Sequence, residues 1–371
     1  MKLNYFSICL VLLKAVNVFS QDPDSSKLTL LFAGDIMGHG PQYIAAYDSA
    51  FGGYNYEPCF RYIKPFISKF DITIANLEVT LAGPPYSSYP QFSSPDELAY
   101  DIKNAGFNVV VTANNHCYDK GKTGFKRTLD ILDSVGIEHL GTYTDSVQRS
   151  KSYPFLIEKK GIRLALFNYT YGTNGLLPKK PNIVNYINKQ VILSDLAKAD
   201  SEKADFKVAI MHWGKEYEMK PNNEQKELAL FMAKHGFDAI IGSHPHVVQT
   251  FEVLYPDTSD SIHFVPVFYS LGNFVSNQRD RYRDGGAIFS LTIEKKIKTL
   301  PIDWDYQPYW VYRGTLKKKY QYYIIPTKLF ECQPDSFAFS PSEIYRLKEF
   351  NDDTQKQLQN IKKSEYFNCE K

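Results

Sequence analysis

Two histidines separated by a single residue, His244 and His246, follow the apolar run Ala239-Ile240-Ile241-Gly242-Ser243. A strand fixes its own end, and the turn beyond it can aim both imidazoles at one point. A divalent ion with nitrogen ligands needs that arrangement. Alone the pair is weak, because close histidines arise by chance. Four other apolar runs of strand type also end in residues that bind metal or carry protons: Asp35, Glu78, Asn115-His116 and His212. The recurrence points to a site assembled from strand ends.

The elements that must position these groups can be read from hydrophobic pattern and turn residues. Leu28 to Ala33 reads as a strand closed by Gly34-Asp35, although an Asp there would also cap a following helix. A second buried strand, 71–75, ends in Asn76-Leu77-Glu78, and a third, 107–112, runs into Ala113-Asn114-Asn115-His116-Cys117-Tyr118-Asp119. Phe206 to Met211 delivers His212. Helical spacing predicts helices over 57–69, from Ser94-Pro95 to Gly106, from about Phe125 to Gly136, and over 191–203 and 223–235. Further strands are expected at 137–141, 154–158, 162–168, 264–269 and 287–293. The polar stretches 83–93 and 169–189 read as loops near the site. Strands alternating with helices indicate an α/β fold with a largely parallel core, which binds ligands beyond the carboxyl ends of its strands. From about residue 300 the pattern changes to an aromatic, basic hairpin (304–323) and a surface helix (341–363). We read 28–300 as the main domain and 301–371 as an extension packed on it.

Composition bounds the function. The 371 residues are 43% hydrophobic and 23% charged with a formal net charge of +2, an ordinary globular balance without the basic footprint of a nucleic-acid binder. Residues 1–20 read as a secretory signal peptide, with a short basic start and an apolar core too short to span a membrane, followed by a linker at 21–27. Export to the periplasm or cell surface is the expectation. The remaining cysteines, Cys59, Cys117, Cys332 and Cys369, show no CxxC spacing; three complete pairings exist, and we read the four as incidental. Cys117 beside His116 invites a nucleophile reading, but adjacent residues rarely face one another. His139, His235 and His263 read as packing or surface residues. Arg279, Asp280, Arg281 and Arg283 read as a solvated loop, the alternative being that one arginine contacts an anionic substrate.

Six segments in order carry a resemblance: Phe32-Ala33-Gly34-Asp35-Ile36-Met37, Ala75-Asn76-Leu77-Glu78, Ala113-Asn114-Asn115-His116 with Asp119, Met211-His212-Trp213-Gly214-Lys215-Glu216-Tyr217, Gly242-Ser243-His244-Pro245-His246 and Tyr269-Ser270-Leu271-Gly272-Asn273-Phe274. Over roughly 28–295 the chain resembles the bacterial capsule-synthesis CapA family, the poly-γ-glutamate capsule group within the calcineurin-like metallophosphoesterase superfamily. The resemblance implies a four-layer α/β/β/α sandwich. It implies metal ligands at Asp35, Glu78, Asn115, His212, His244 and His246, acid–base work at His116 with Asp119, and substrate contacts at Asn76, Glu216 and Asn273. Mixed oxygen and nitrogen ligands suit Mn, Fe or Zn, as one or two ions. Such an ion would lower the pKa of a bound water and polarise a carbonyl or phosphoryl oxygen, while a histidine beside it protonates the leaving group. The wider fold places a histidine two residues after the first aspartate, where this chain has Met37; a thioether is a poor ligand there, and His39 would replace it only if the 38–40 turn folded back. The implied partners are an anionic polymer or small anionic substrate and a membrane capsule-synthesis complex, with no nucleic acid. Three functions follow: a metal-dependent hydrolase of the polymer, a phosphoesterase, or a non-catalytic assembly factor for capsule export.

Overall fold

The computed structural model describes residues 27–50, 52–257 and 264–361. The signal peptide, nearly all of the expected linker, His263 and Cys369 lie outside the described residues.

Two sheets form the centre. The first contains β1 (Lys27–Ile36), β2 (Ile72–Leu77), β3 (Val109–Val111) and β4 (Glu138–Leu140), all parallel and adjacent in that order. The second is built on β5 (Phe155–Lys159), β6 (Ile162–Thr170), β7 (Phe206–His212) and β8 (Ala239–Ser243), followed by β9 (Phe251–Leu254) and β10 (Val265–Phe268). Its order is β9-β10-β8-β7-β6-β5, with β6, β7, β8 and β10 parallel. The chain then returns to the first sheet. β11 (Asn273–Val275) pairs in parallel with the end of β1, and β12 (Gly285–Lys295), β13 (Thr299–Leu316) and β14 (Lys319–Pro326) continue that sheet in antiparallel fashion.

Strand alternation decides which side chains go where. Leu28, Leu30 and Phe32 of β1 join Ile72, Ile74, Val109 and Val111 in a core shared with Leu164, Leu166, Val208 and Ile240 of the second sheet. Leu31 and Ala33 point the other way, into a second core with Phe60, Ile63, Leu98, Ile102 and Leu132. Those come from the helical layer, which includes α1 (Gly40–Ala46), α2 (Glu97–Asn104) and α3 (Gly121–Val135). On the far side, α4 (Lys189–Ser201) and α5 (Asn223–His235) bury Ile192, Leu196, Leu228 and Met232 against the second sheet. The layers are those of the α/β/β/α sandwich.

Several elements differ from expectation. The helix expected over 57–69 is two single turns, Glu57–Phe60 and Lys64–Ile67, because Pro65 removes a backbone donor and cannot continue the ladder. α2 begins at Glu97, and Ser94 does not cap it: its buried hydroxyl has no hydrogen-bond partner. The helix expected over 341–363, here α6 (Pro341–Gln357), is not merely superficial. Leu347 and Phe350 close a third core with Trp310, Tyr323, Phe337 and Phe339. Its start follows the sequence, with N-cap Ser340 just before Pro341 and Glu343 completing a capping box. Cys59 and Cys117 are buried free thiols, which rules out any complete pairing of the four cysteines; Cys332 is disulfide-bonded and so is not incidental. Among the described residues no helix is long and apolar enough to cross a membrane.

Candidate metal centre

The carboxyl ends of both sheets open onto one point. Gly34 and Gly242 make the approach possible: a Cβ on either would lie 1.9 Å from a backbone oxygen, that of Gly272 or of Tyr269. Each precedes a proposed ligand by one or two residues. After β8 the chain turns sharply, with His244 and His246 both at positive φ (99° and 58°), a strained conformation that directs the two imidazoles inward.

Asp35, Glu78, His212, His244 and His246 are all buried. They form two overlapping groups, Asp35–Glu78–His212 and Glu78–His244–His246, whose ligand atoms lie within 4.8 Å of one another. Glu78 belongs to both, as a bridging carboxylate would. Its Oε1 stands 3.5 Å from His212 Nε2 and 3.8 Å from His246 Nε2. Asn115 Oδ1 is 2.9 Å from His212 Nε2, which adds a carboxamide oxygen to the ring of donors. Asp35 Oδ2 accepts from the backbone N–H of His244 (3.3 Å) and lies 3.0 Å from His246 Nδ1.

The electrostatics suit a cation. Burial, reinforced by the Asp35 charge, pushes the Glu78 carboxyl well above the usual range. Burial, followed by its histidine neighbours, pushes His212 well down, and burial holds His244 at about 3. Glu78 Oε1 and His244 Nδ1 are moreover buried without any hydrogen-bond partner. Buried polar atoms are rarely left so, and two of them converging in a ring of metal-ligating side chains fit a divalent ion.

Around this ring the other expected residues take distinct places. His116 Nδ1 is 2.8 Å from Asp119 Oδ2, and the same oxygen accepts from Phe92 N (2.7 Å), so the dyad is fixed beside the ligands. Asn76, expected to contact substrate, is turned inward instead. It donates to Asp35 Oδ1 (2.8 Å) and Glu78 Oε2 (3.4 Å), and its own oxygen accepts from Asn114 (3.2 Å). Asn273 is also buried and donates to Gln278 Oε1 and Arg283 O, both at 2.9 Å. Glu216 is exposed at the rim, where its charge reaches Glu78 and Tyr171.

Met37 is buried in the core between the first sheet and its helices and presents nothing to the ring. His39 reaches the rim, edge-on to Phe92 at 5.2 Å, but its Nδ1 is engaged by Gln42 Oε1 (3.2 Å) and Asn277 N (3.3 Å), and it joins neither ligand group. Burial pushes the Cys117 thiol up to about 12, the opposite of what a nucleophile requires. The arginine segment is not simply solvated. Arg279 donates to Val311 O (2.6 Å) against Trp310, and Arg281 pairs with Asp353 (2.8 Å). Tyr171 and Asn174, which accepts from Asn115 Nδ2 at 3.3 Å, were not singled out by the sequence. Tyr171 lies one residue beyond β6 and packs on His244 with ring centroids 4.6 Å apart, so the rule that strand ends carry the site would have found it.

A family profile described as bacterial capsule synthesis protein PGA_cap matches residues 29–278. The chain belongs to that family. Within it, the chain is 30% identical over 268 residues to the capsule biosynthesis protein CapA of Bacillus anthracis, covering 69% of this chain and 61% of that relative. It is 29% identical over 316 residues to the PGA biosynthesis protein CapA of Bacillus subtilis (strain 168), covering 79% and 76%. Among solved structures, this PGA_cap chain is similar to the NAD nucleotidase NadN of Haemophilus influenzae, with a TM-score of 0.51 at 11% identity over 92% of this chain and 65% of that one. That likeness shows the fold, which is metallophosphoesterase-like. The chain spans about 61% of the anthrax relative's length and 65% of the nucleotidase's.

Proposed function

We propose that this PGA_cap protein is an exported, divalent-metal-dependent hydrolase acting on an anionic capsule or envelope polymer of the poly-γ-glutamate class, in association with a membrane capsule-synthesis complex. The observation that carries the reading is the pair of orphaned buried atoms, Glu78 Oε1 and His244 Nδ1, inside the ring of Asp35, His212, His246 and Asn115. Asp35, Glu78, Asn115, His212, His244 and His246 would hold the ion. When bound, it supplies Lewis-acid polarisation of a carbonyl or phosphoryl oxygen and a more acidic water. The protein's own part is positioning and proton transfer. Asn76 fixes the two carboxylates, and Asp119 orients His116 through Nδ1, leaving Nε2 to deliver a proton to the leaving group. Phe92, packed edge-on against His116 at 4.7 Å, keeps one side of that imidazole dry.

A phosphoester is the alternative substrate bond, since the donor set is equally suited to a phosphoryl oxygen. The reading as a non-catalytic assembly factor draws on Met37, whose burial in the core leaves the first metal position one ligand short. Metal content of the purified mature chain and of His244→Ala decides first. Stoichiometric metal that disappears in the variant supports the enzyme, and turnover of a γ-glutamyl oligomer against a phosphodiester then assigns the bond. A folded chain that holds no metal after supplementation with Mn, Fe or Zn leaves the assembly factor in front.

A further inference from the structure

Tyr217 stands beside the His244-Pro245-His246 turn in a conformation unusual for a bulky residue. Its backbone is left-handed (φ 67°), and its N–H donates to Pro245 O at 2.8 Å. The ring packs near His246, with centroids 6.2 Å apart, yet 44% of the residue is exposed. Strain of this kind persists where the surroundings impose it, and it gathers at functional sites. Here the surroundings form a closed circuit. Asn273 Nδ2 reaches His246 O (3.4 Å), Gln278 Oε1 (2.9 Å) and Arg283 O (2.9 Å), and Gln278 Nε2 donates to the Tyr217 hydroxyl (3.3 Å). The Arg283 guanidinium completes it, 4.2 Å from the centre of the Tyr217 ring.

The segment's three arginines have different employments. Arg279 is committed to Val311 O and Asp284, and Arg281 to Asp353 and Glu349. Among the acids of the described residues Arg283 pairs only with Asp280, and that partner's side chain is 72% exposed, so solvent and a competing oxyanion can both reach the carboxylate end of the pair. The charges of Asp35 and Glu216 both reach Glu78, so acidic groups gather at this part of the ring. A substrate rich in negative charge is helped by a cation at the mouth, and a guanidinium held over an aromatic ring has the planar fork that matches an oxyanion.

We propose that Arg283, carried on Tyr217, is a specificity-determining residue that receives an oxyanion of the substrate outside the metal centre. For the acidic polymer proposed above, on which the identity of the substrate rests, that oxyanion is a neighbouring carboxylate. The test is calorimetric titration of the Mn-supplemented full chain with three probes: a γ-linked glutamate tetramer, its fully methyl-esterified form and inorganic phosphate. Metal content is measured alongside. Arg283→Gln is expected to weaken binding of the tetramer roughly ten- to hundredfold, the worth of a hydrogen bond to a charged group. Arg283→Lys recovers part of that loss, the metal content stays at the wild-type level, and affinity for the ester is the same in wild type and variants. Tetramer binding by Arg283→Gln equal to wild type overturns the assignment, as does a wild type that binds neither the tetramer nor phosphate. A wild type that binds phosphate alone, with that binding lost in Arg283→Gln, keeps Arg283 as the oxyanion residue and removes the polymer. If the chain holds no metal, the hydrolase reading fails, and titration of the metal-free protein with the tetramer still decides Arg283.

Discussion

The two sheets contribute different chemistry to the same point. Ends of the first sheet supply oxygen: Asp35 from β1, Glu78 just beyond β2, and Asn115 beyond β3. Ends of the second supply nitrogen: His212 from β7, and His244 and His246 beyond β8. Burial acts on both sets in the same sense, by disfavouring charge, and so has opposite consequences. It raises Glu78 toward the neutral acid and lowers His212 and His244 toward the neutral base. His212 and His244 are thus already in their ligating state, while Glu78 must lose a proton to become a ligand. Metal binding should therefore expel a proton from Glu78.

The sharpest way to break this division is to remove one ligand from each side. His244→Ala and Glu78→Gln are each expected to lower metal affinity beyond the roughly 10–100-fold that outer partners are worth. They should differ in proton count: calorimetry in buffers of different ionisation enthalpy should show proton release for wild type and none for residual binding to Glu78→Gln. Proton release in that variant would place the titrating group elsewhere. His116 tests the division differently, as a nitrogen on the oxygen side that is not a ligand. His116→Gln should leave metal content intact while turnover falls about 10²–10⁴-fold, the usual contribution of general acid–base catalysis. Lost metal would make His116 a ligand instead. Asn76→Ala removes the amide that orients both carboxylates, and a fall in affinity of about 10–100-fold is expected from equilibrium dialysis. Met37→His asks whether the pattern of the wider fold can be restored by residue type alone. Because position 37 lies in the core, the substitution should add no metal and should cost about 1–3 kcal/mol for a polar group buried without a partner, read from denaturant unfolding. A second equivalent of metal would show that the side chain can reach the ring after all.

That last case shows what the sequence could and could not disclose. The convergence of Asp35, Glu78, Asn115, His212, His244 and His246 was legible because parallel strands are continuous apolar runs and a polar residue marks each end. Helices with a regular stripe and a terminal glycine, such as α3 before Gly136 (φ 69°), were equally plain. What sequence order hid was direction. Nothing in the spacing says that Asn76 turns inward to Asp35, that Met37 points into the core, or that Tyr217 supports an arginine 66 positions later. The path of the chain between sheets was hidden for a related reason. β11 to β14 return to the first sheet after the second is complete, and a hairpin pattern does not reveal which sheet edge it will extend.

The smallest effect concerns the metal-free protein, and there the sign follows from the same division. His212 and His244 have folded values below that of an unfolded histidine, so between about pH 6.5 and the lowered value the unfolded chain binds more protons than the folded one. Stability from these residues is present above that window and is lost as pH falls through it. Glu78 acts in the opposite sense, because its raised folded value stabilises the chain at low pH and that contribution fades as pH rises above the ordinary carboxylate range. In the metal-free wild type the two contributions oppose one another between about pH 4.5 and 6.5. Glu78→Gln removes one side of the balance. Its midpoint of thermal unfolding should therefore fall more steeply than wild type on acidification through that interval, with chelator present in both. Parallel profiles would mean that the carboxyl of Glu78 is not held neutral by the first sheet, and the contrast between the two halves of the site would reduce to ligand type alone.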